Sequence, residues 1–438
     1  MYWNDLKNAE KLIEPFRFSK RRKCWKVLFS FFVFSFISGC ATIRIPEVET
    51  IPIDRFPAYE MPDGSKIYPS SIDNTIPDVD ILAINDDIKS LLEKSIKNTR
   101  NPRERLLKLT DLLIKKIKYD TQDDTYGVKT AQETFDTGTG NCLSFSNLFV
   151  ATARYVGLRS RFSEIPTLPN WTRDGEILFF TRHIGAAVDI RETYEKLIQL
   201  EVAGDNVKFV SLDDVQRYYF SPSEFTPDAY RINTFDFKAI PDSRAFAQYY
   251  NNLGSKCIAE GKTLEAFRYF IKAIKTDPGL SYAWSNLGVI YKQNNQLDAA
   301  ETAYLQGLAV TRGSKDTSVL SIMNNLANLY DITGEEEKAQ LYISQVASFR
   351  EKNPYYQYAA GRTAYNDSLF EESVGLFKKA IRLKDDEHLF YYGLALAYLK
   401  TGEIKKAETN INQAIKYSWN KGRKAYYQNV LDTIKNVN

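Results

Sequence analysis

The 438-residue sequence predicts an α+β domain followed by an all-α solenoid. Three observations carry that expectation. Between residues 86 and 157 apolar residues recur at helical spacing. From Arg159 to Asp213 they fall instead in short β-branched and aromatic runs broken by turn sequences. Beyond residue 245 everything is helical, and one pattern returns about every 34 residues. Composition agrees: 44% apolar and 26% charged residues are ordinary for a globular chain, and this length needs more than one core. A net charge of +3 points neither to nucleic acid nor to a strongly acidic partner. Only 2 His accompany 28 Tyr, which argues against a His-rich metal site; no metal or other cofactor is expected. Any catalytic imidazole must belong to His183 or His388.

Residues 1–39 read as an export signal. The basic block "KRRKCWK" precedes a predominantly apolar run of 13 residues, Val27–Gly39, about the length of a signal-peptide core and too short to span a bilayer as a helix. The run ends in "ISGC", which resembles the lipobox of bacterial lipoproteins. That resemblance implies cleavage before Cys40, acylation of Cys40 and a lipid-anchored protein facing the periplasm. Ala41 after the Cys implies the outer membrane. Cleavage removes Cys24 and lipidation consumes Cys40, which leaves Cys142 and Cys257 in different modules. Secreted domains held by a bridge usually pair cysteines at short spacing, so two single thiols are expected.

Residues 40–80 form a Pro-rich segment with six of the 15 prolines, read as an extended tether. Residues 81–245 make the α+β domain. Ile88, Leu91, Leu92 and Ile96 predict a first helix capped by Asn85 or Asp86. Pro102 opens a second, with Leu106, Leu109, Leu113 and Ile117 as its stripe. A third follows Cys142, with Leu148, Ala151, Tyr155 and Val156 on one face, and Gly157 ends it. The runs "RSRFSEI", "EILFFTRHIGAAVDI", "LIQLEVAG" and "VKFVSL" predict antiparallel strands.

Residues 246–421 hold five copies of a helical pair, with 422–438 as a capping helix. The small residue of each first helix is Gly254, Gly288, Ala327, Gly361 and Ala395, spaced by 34, 39, 34 and 34. An Ala recurs twelve positions later (Ala266, Ala300, Ala339, Ala407), and Tyr291, Tyr330 and Tyr398 occupy one equivalent position. The pattern resembles the tetratricopeptide repeat, whose units stack because none can bury its apolar face alone. The resemblance implies protein or peptide binding, with Asn252, Asn286 and Asn325 placed to bond a peptide backbone. Cys257 is expected in the repeat core, and His388, at the start of the fifth unit, toward solvent.

The segment "GTGNCLSFSNLFVATARYVGL" carries the chemistry. A nucleophilic cysteine needs a stabilised thiolate, an imidazole within reach and a group to orient that imidazole. A helix start supplies the first, because unpaired N–H groups and the helix dipole favour an anion. Glycines allow a sharp turn before Cys142, and His183 lies within a long apolar run where an unpaired polar ring is costly. The stretch from "NPRERLLKLTDLLIKKIKYD" through "GTGNCLSF" to "RHIGAAVDI" resembles the transglutaminase-like superfamily over about residues 85–215. That resemblance implies a papain-like fold with Cys142 as nucleophile and His183 as general base and later acid, the Cys142 backbone N–H contributing to an oxyanion hole. Ile184 and Gly185 stand where many members have an aromatic residue. Asp213 closes a strand as the third member does in the family. If "LIQLEVAG" is the strand beside His183, hairpin counting brings Asp205 near it instead. Two functions follow: a membrane-anchored enzyme hydrolysing or transferring amides of periplasmic proteins or peptides, with repeats that bind protein, or a scaffold lipoprotein whose site is vestigial.

Overall fold

The computed structural model describes residues 45–438 apart from 75, 77, 120–126, 166–171, 175–176, 180–182, 190–196, 204–205, 212–237, 313–317, 419–420 and 437–438. The apolar run and Cys40 lie outside the described residues. Among the described residues no helix is long and apolar enough to cross a membrane. Contacts divide the chain into two units, residues 45–344 and 345–438.

The first unit begins with an extended segment interrupted by 3₁₀ turns at Ile53–Arg55 and Pro69–Asn74 and a short hairpin, β1 (Tyr59–Glu60) with β2 (Lys66–Ile67). The α+β domain then follows the predicted order. Helix α1 (Asp86–Leu92) is capped by Asn85, whose side chain accepts from the Ile88 N–H. Helix α2 (Pro102–Lys116) has proline in its first turn and Asn101 as cap. After β3 (Lys118–Tyr119) come α3 (Ala131–Thr137), β4 (Thr139–Gly140), parallel to β3, and α4 (Cys142–Tyr155). Gly157, at φ +78°, stops α4 where an L side chain would be strained.

The strands are β5 (Arg159–Ile165), β6 (Thr172–Asp174), β7 (Ile177–Phe179), β8 (His183–Asp189), β9 (Leu197–Ala203), β10 (Asn206–Ser211) and β11 (Lys238–Ile240). Five of them form an antiparallel sheet ordered β10-β9-β8-β5-β11, while β6 and β7 pair separately. The run expected as one strand around His183 is therefore two, and His183 opens β8 rather than standing in mid-strand. Helix α4 packs on β5 and β8. It is buried on nearly every side from Leu143 to Ala153, not along one stripe. Its polar members pair instead: the Ser144, Ser146 and Thr152 hydroxyls and the Asn147 amide N–H group all hydrogen-bond to neighbouring groups.

Helix pairs follow: α5 (Asp242–Ala259) with α6 (Thr263–Thr276) and α7 (Ser281–Gln293) with α8 (Leu297–Val310); α9 (Ser318–Thr333) is followed by α10 (Glu336–Lys352), where Tyr330 stacks on Tyr342 at 5.8 Å. The first repeat helix is seated on the sheet. Phe246 meets Phe162 edge-on at 6.3 Å, Gln248 donates to Glu164 at 3.3 Å, and Arg154 grips Asp242 through two bonds of 2.6 and 2.9 Å.

The second unit holds α11 (Pro354–Asn366), α12 (Phe370–Leu383), α13 (His388–Lys400), α14 (Ile404–Tyr417) and α15 (Lys421–Asn436). Small residues at the marker position let an aromatic ring from the paired helix rest on backbone. A Cβ on Gly254, Gly288 or Gly361 would lie 2.6, 2.5 or 2.9 Å from Phe270, Tyr304 or Phe377. Where the other units have Ala, the fourth has Ser373, fully buried, whose hydroxyl donates to the Gly361 carbonyl at 2.8 Å.

His388 corrects the expectation of a solvent-facing ring. It is buried at 4% exposure, with Nδ1 and the Tyr427 hydroxyl 2.8 Å apart. The residue opens α13, but α15 folds over it, and the sequence of α13 alone cannot show that. Burial, with Arg423 nearby, pushes its pKa down to about 3. The unfolded chain takes up a proton near pH 6.5 while the folded one does not, so His388 should cost stability as pH falls from about 6.5 to about 3. The slope is roughly 1.4 kcal/mol per pH unit. Glu387 acts in the opposite sense, because burial raises its carboxyl pKa. Chemical denaturation of wild type and His388→Asn between pH 4 and 7 isolates the His contribution: the stability difference should shift with pH in the variant's favour as acid is added, and parallel curves would contradict it.

Candidate functional site

The turn into Cys142 is built from side chains that cap and clamp it. Thr130 and Glu133 form a capping box at the start of α3. Gly138, at φ +65°, ends that helix in the left-handed region. A Cβ on Gly140 would lie 2.8 Å from Ser144 Cβ and 3.1 Å from Thr134 Cγ2, so only glycine passes between the two helices here without displacement. Asn141 then caps α4: its Oδ1 accepts from the Ser144 N–H at 2.9 Å, and its Nδ2 donates to the Gly127 carbonyl at 2.9 Å. Ser144 Oγ in turn accepts from the Lys129 N–H at 2.9 Å. Cys142 is thus the first residue of a helix whose start is held from three directions. It is half-buried and not in a disulfide.

Cys142 and the start of β8 are brought together. Ser146 lies one turn along α4 and directs its hydroxyl between the Cys142 carbonyl at 2.7 Å and the Ile184 carbonyl at 3.1 Å. Ile184 follows His183, the first residue of β8, whose partner on β5 is Ile165. On the other side of β8 lies β9, in the register Ala186↔Leu200 through Asp189↔Leu197. Carrying that register three residues toward His183 brings Ala203 opposite it. Ala203 also pairs with Asn206, so the β9–β10 hairpin closes at this end. Strand β10 borders β9 only, and its last residue, Ser211, pairs with Ile198, at the opposite end of β9. Asp205 and Asp213 themselves lie outside the described residues.

The repeat residues are dispersed. Asn286 is buried and donates to Asn251 Oδ1 at 3.0 Å; Asn325 is buried and donates to Ser285 Oγ at 3.1 Å. Both amide N–H groups bridge successive first helices, while Asn252 is half-buried on α5. Cys257 is half-buried too, rather than in the core, and burial raises its thiol pKa. Sequence reasoning missed Ser146, because its value depends on which strand α4 lies against. Ser144, two residues after the Cys, was legible only as a polar residue in a helix start.

A model of the transglutaminase-like superfamily matches residues 89–212. Tetratricopeptide-repeat models match residues 247–279, 269–302 and 358–421. The human protein O-mannosyl-transferase TMTC3 is 25% identical over 194 residues, 42% of this chain and 21% of that protein. The Arabidopsis thaliana chloroplast protein PYG7, a tetratricopeptide repeat domain-containing protein, is 34% identical over 74 residues, 17% of this chain and 25% of that one. The chain thus spans about a fifth to a quarter of the length of these curated relatives. Among solved structures, YrrB, described as a tetratricopeptide protein with an unusual peptide-binding site, is similar at 15% identity and a TM-score of 0.22, covering 42% of this chain and 92% of that one. MamA from Desulfovibrio magneticus RS-1 is similar at 16% identity and a TM-score of 0.23, covering 41% and 97%. The chain carries a transglutaminase-like domain followed by tetratricopeptide repeats.

Proposed function

We propose that the transglutaminase-like domain is a cysteine enzyme acting on amide bonds of periplasmic proteins or peptides, anchored to the membrane through Cys40, with the repeats binding protein. The observation that carries the reading is the Ser146 bridge, which ties the helix opening at Cys142 to the strand opening at His183. In this reading the Cys142 thiolate attacks the amide carbonyl, and the backbone N–H of Cys142 helps hold the resulting oxyanion. His183 passes a proton to the leaving amine, the acyl-enzyme forms, and water or a second amine releases the product. The sheet order favours Asp205 over Asp213 as the orienting acid. The β9–β10 hairpin closes beside the position opposite His183, whereas β10 ends at the other end of β9, about 17 Å along the sheet.

Site-resolved alkylation with iodoacetamide, read by peptide mass spectrometry, tests this. Cys257, a half-buried thiol that burial makes harder to ionise, serves as the slow reference in the same chain. Cys142 should label at least about tenfold faster near neutral pH. His183→Ala and Asp205→Asn should remove that advantage, and Asp213→Asn should leave it intact. Labelling of Cys142 at the rate of Cys257 in wild type would instead leave the domain as a binding module.

A further inference from the structure

The Pro-rich segment is extended between its 3₁₀ turns, and it lies along the first two repeats rather than standing off as a bare tether. Its contacts have the form of ligand recognition. Gln306 on α8 donates through Nε2 to the Glu49 carbonyl at 2.6 Å and accepts through Oε1 from the Ile51 N–H at 3.3 Å. Gln296, the residue before α8, repeats the arrangement nine residues along: Nε2 donates to the Ala58 carbonyl at 2.8 Å, and Oε1 accepts from the Glu60 N–H at 3.0 Å. Each amide thus reads the carbonyl of one residue and the N–H two positions later, a backbone signature that only an extended chain presents. Asn294 adds a bond to the Glu60 carbonyl at 2.7 Å, and the Tyr291 hydroxyl and Arg312 donate to the carbonyls of Pro57 and Pro46.

Side chains supply the second half. Ile53, Phe56 and Tyr59 are buried at every third position: the 3₁₀ turn Ile53–Arg55 brings Ile53 and Phe56 to one side, and Pro52 and Phe56, which flank that turn, have the polyproline II backbone. The Phe56 ring lies 5.3 Å from Trp284 and 6.2 Å from Tyr291, and Tyr59 lies 5.0 Å from Phe267. Lys275, at 14% side-chain exposure, pairs with Asp54 at 2.8 Å. Gln306 is only 2% exposed, and both ends of its amide are spent on the segment's backbone. A buried amide of this kind is costly unless an extended chain satisfies it.

We propose that the face formed by α6, α7 and α8 is a recognition site for proline-rich extended peptides with aromatic residues three apart, and that residues 46–60 occupy it in cis. A partner segment of the same chemistry competes with this internal ligand, so the site opens only when residues 46–60 are displaced. The proposal builds on the repeats as protein-binding elements but not on the chemistry of Cys142, and an inert thiol would leave it untouched.

The test uses the full chain and a labelled synthetic peptide of residues 45–61, with binding read by fluorescence anisotropy. The peptide should bind the double variant Phe56→Ala/Tyr59→Ala at least tenfold more tightly than wild type, whose site is filled. Adding Gln296→Ala and Gln306→Ala to that variant should abolish the gain, and a peptide lacking both aromatic rings should bind none of the proteins. Trypsin cleavage after Arg55 should be slow in wild type and fast in the double variant, which shows independently that the segment has been released. Equal peptide binding to wild type and variant, no binding to the released variant, or binding that survives loss of both glutamines would each overturn the proposal.

Discussion

Cys142→Ser should lower acyl-enzyme formation by about 10³-fold or more while leaving the unfolding midpoint near that of wild type. The asymmetry follows from where the residue sits. As the first residue of α4 it contributes a backbone N–H and a carbonyl, and Ser supplies both. The Ser146 hydroxyl bonds the Cys142 carbonyl rather than its side chain, so the bridge to Ile184 survives. The cap from Asn141 to Ser144 also survives. What changes is the group proposed as nucleophile: a hydroxyl at this position has no comparable tendency to ionise. A p-nitrophenyl ester gives the measurement, because wild type should release a burst of p-nitrophenol stoichiometric with enzyme and Cys142→Ser should not. An undiminished burst in the variant would exclude Cys142 as the acyl acceptor.

Phe377→Ala should destabilise the second unit by about 3–5 kcal/mol, the cost of emptying a fully enclosed aromatic position. The Phe377 ring is 1% exposed and lies 5.6 Å from Tyr358. It also rests on two glycines of neighbouring helices: a Cβ on Gly361 or Gly393 would come within 2.9 or 2.8 Å of it. No side chain on either glycine can move in to fill the void, so the site collapses poorly and the cavity term persists. Chemical denaturation followed by circular dichroism should show a transition moved to lower denaturant. The first unit holds the catalytic candidates, so iodoacetamide labelling of Cys142 should keep its wild-type rate below that transition. A loss under 1 kcal/mol would mean that the helices close over the gap.

Much of this architecture is legible in the order of residues, because its determinants are local. Asn85, Pro102 and Gly157 mark helix ends through their own backbone chemistry, and each is found in that role. The repeats announce themselves because a small residue must recur wherever a ring crosses a helix backbone, as at Gly254, Gly288 and Gly361. The start of α4 at Cys142 is likewise local, set by Gly138, Gly140 and Asn141 within four residues.

Other features depend on which surfaces meet, and no local pattern encodes that. The sequence offers both Asp213 and Asp205, and which strand borders β8 is decided only by the sheet order β10-β9-β8. Ser146 looks like an ordinary helix serine until Ile184 lies against it. His388 looks exposed until Tyr427, thirty-nine residues away, covers it. The Pro-rich segment shows the division most clearly. Its prolines by themselves keep it out of long helices and central strands, because each fixes φ and removes a donor. That Gln296 and Gln306, more than two hundred residues away, clamp its carbonyls and N–H groups is decided by tertiary structure alone, because only folding brings these donors and acceptors within hydrogen-bonding distance.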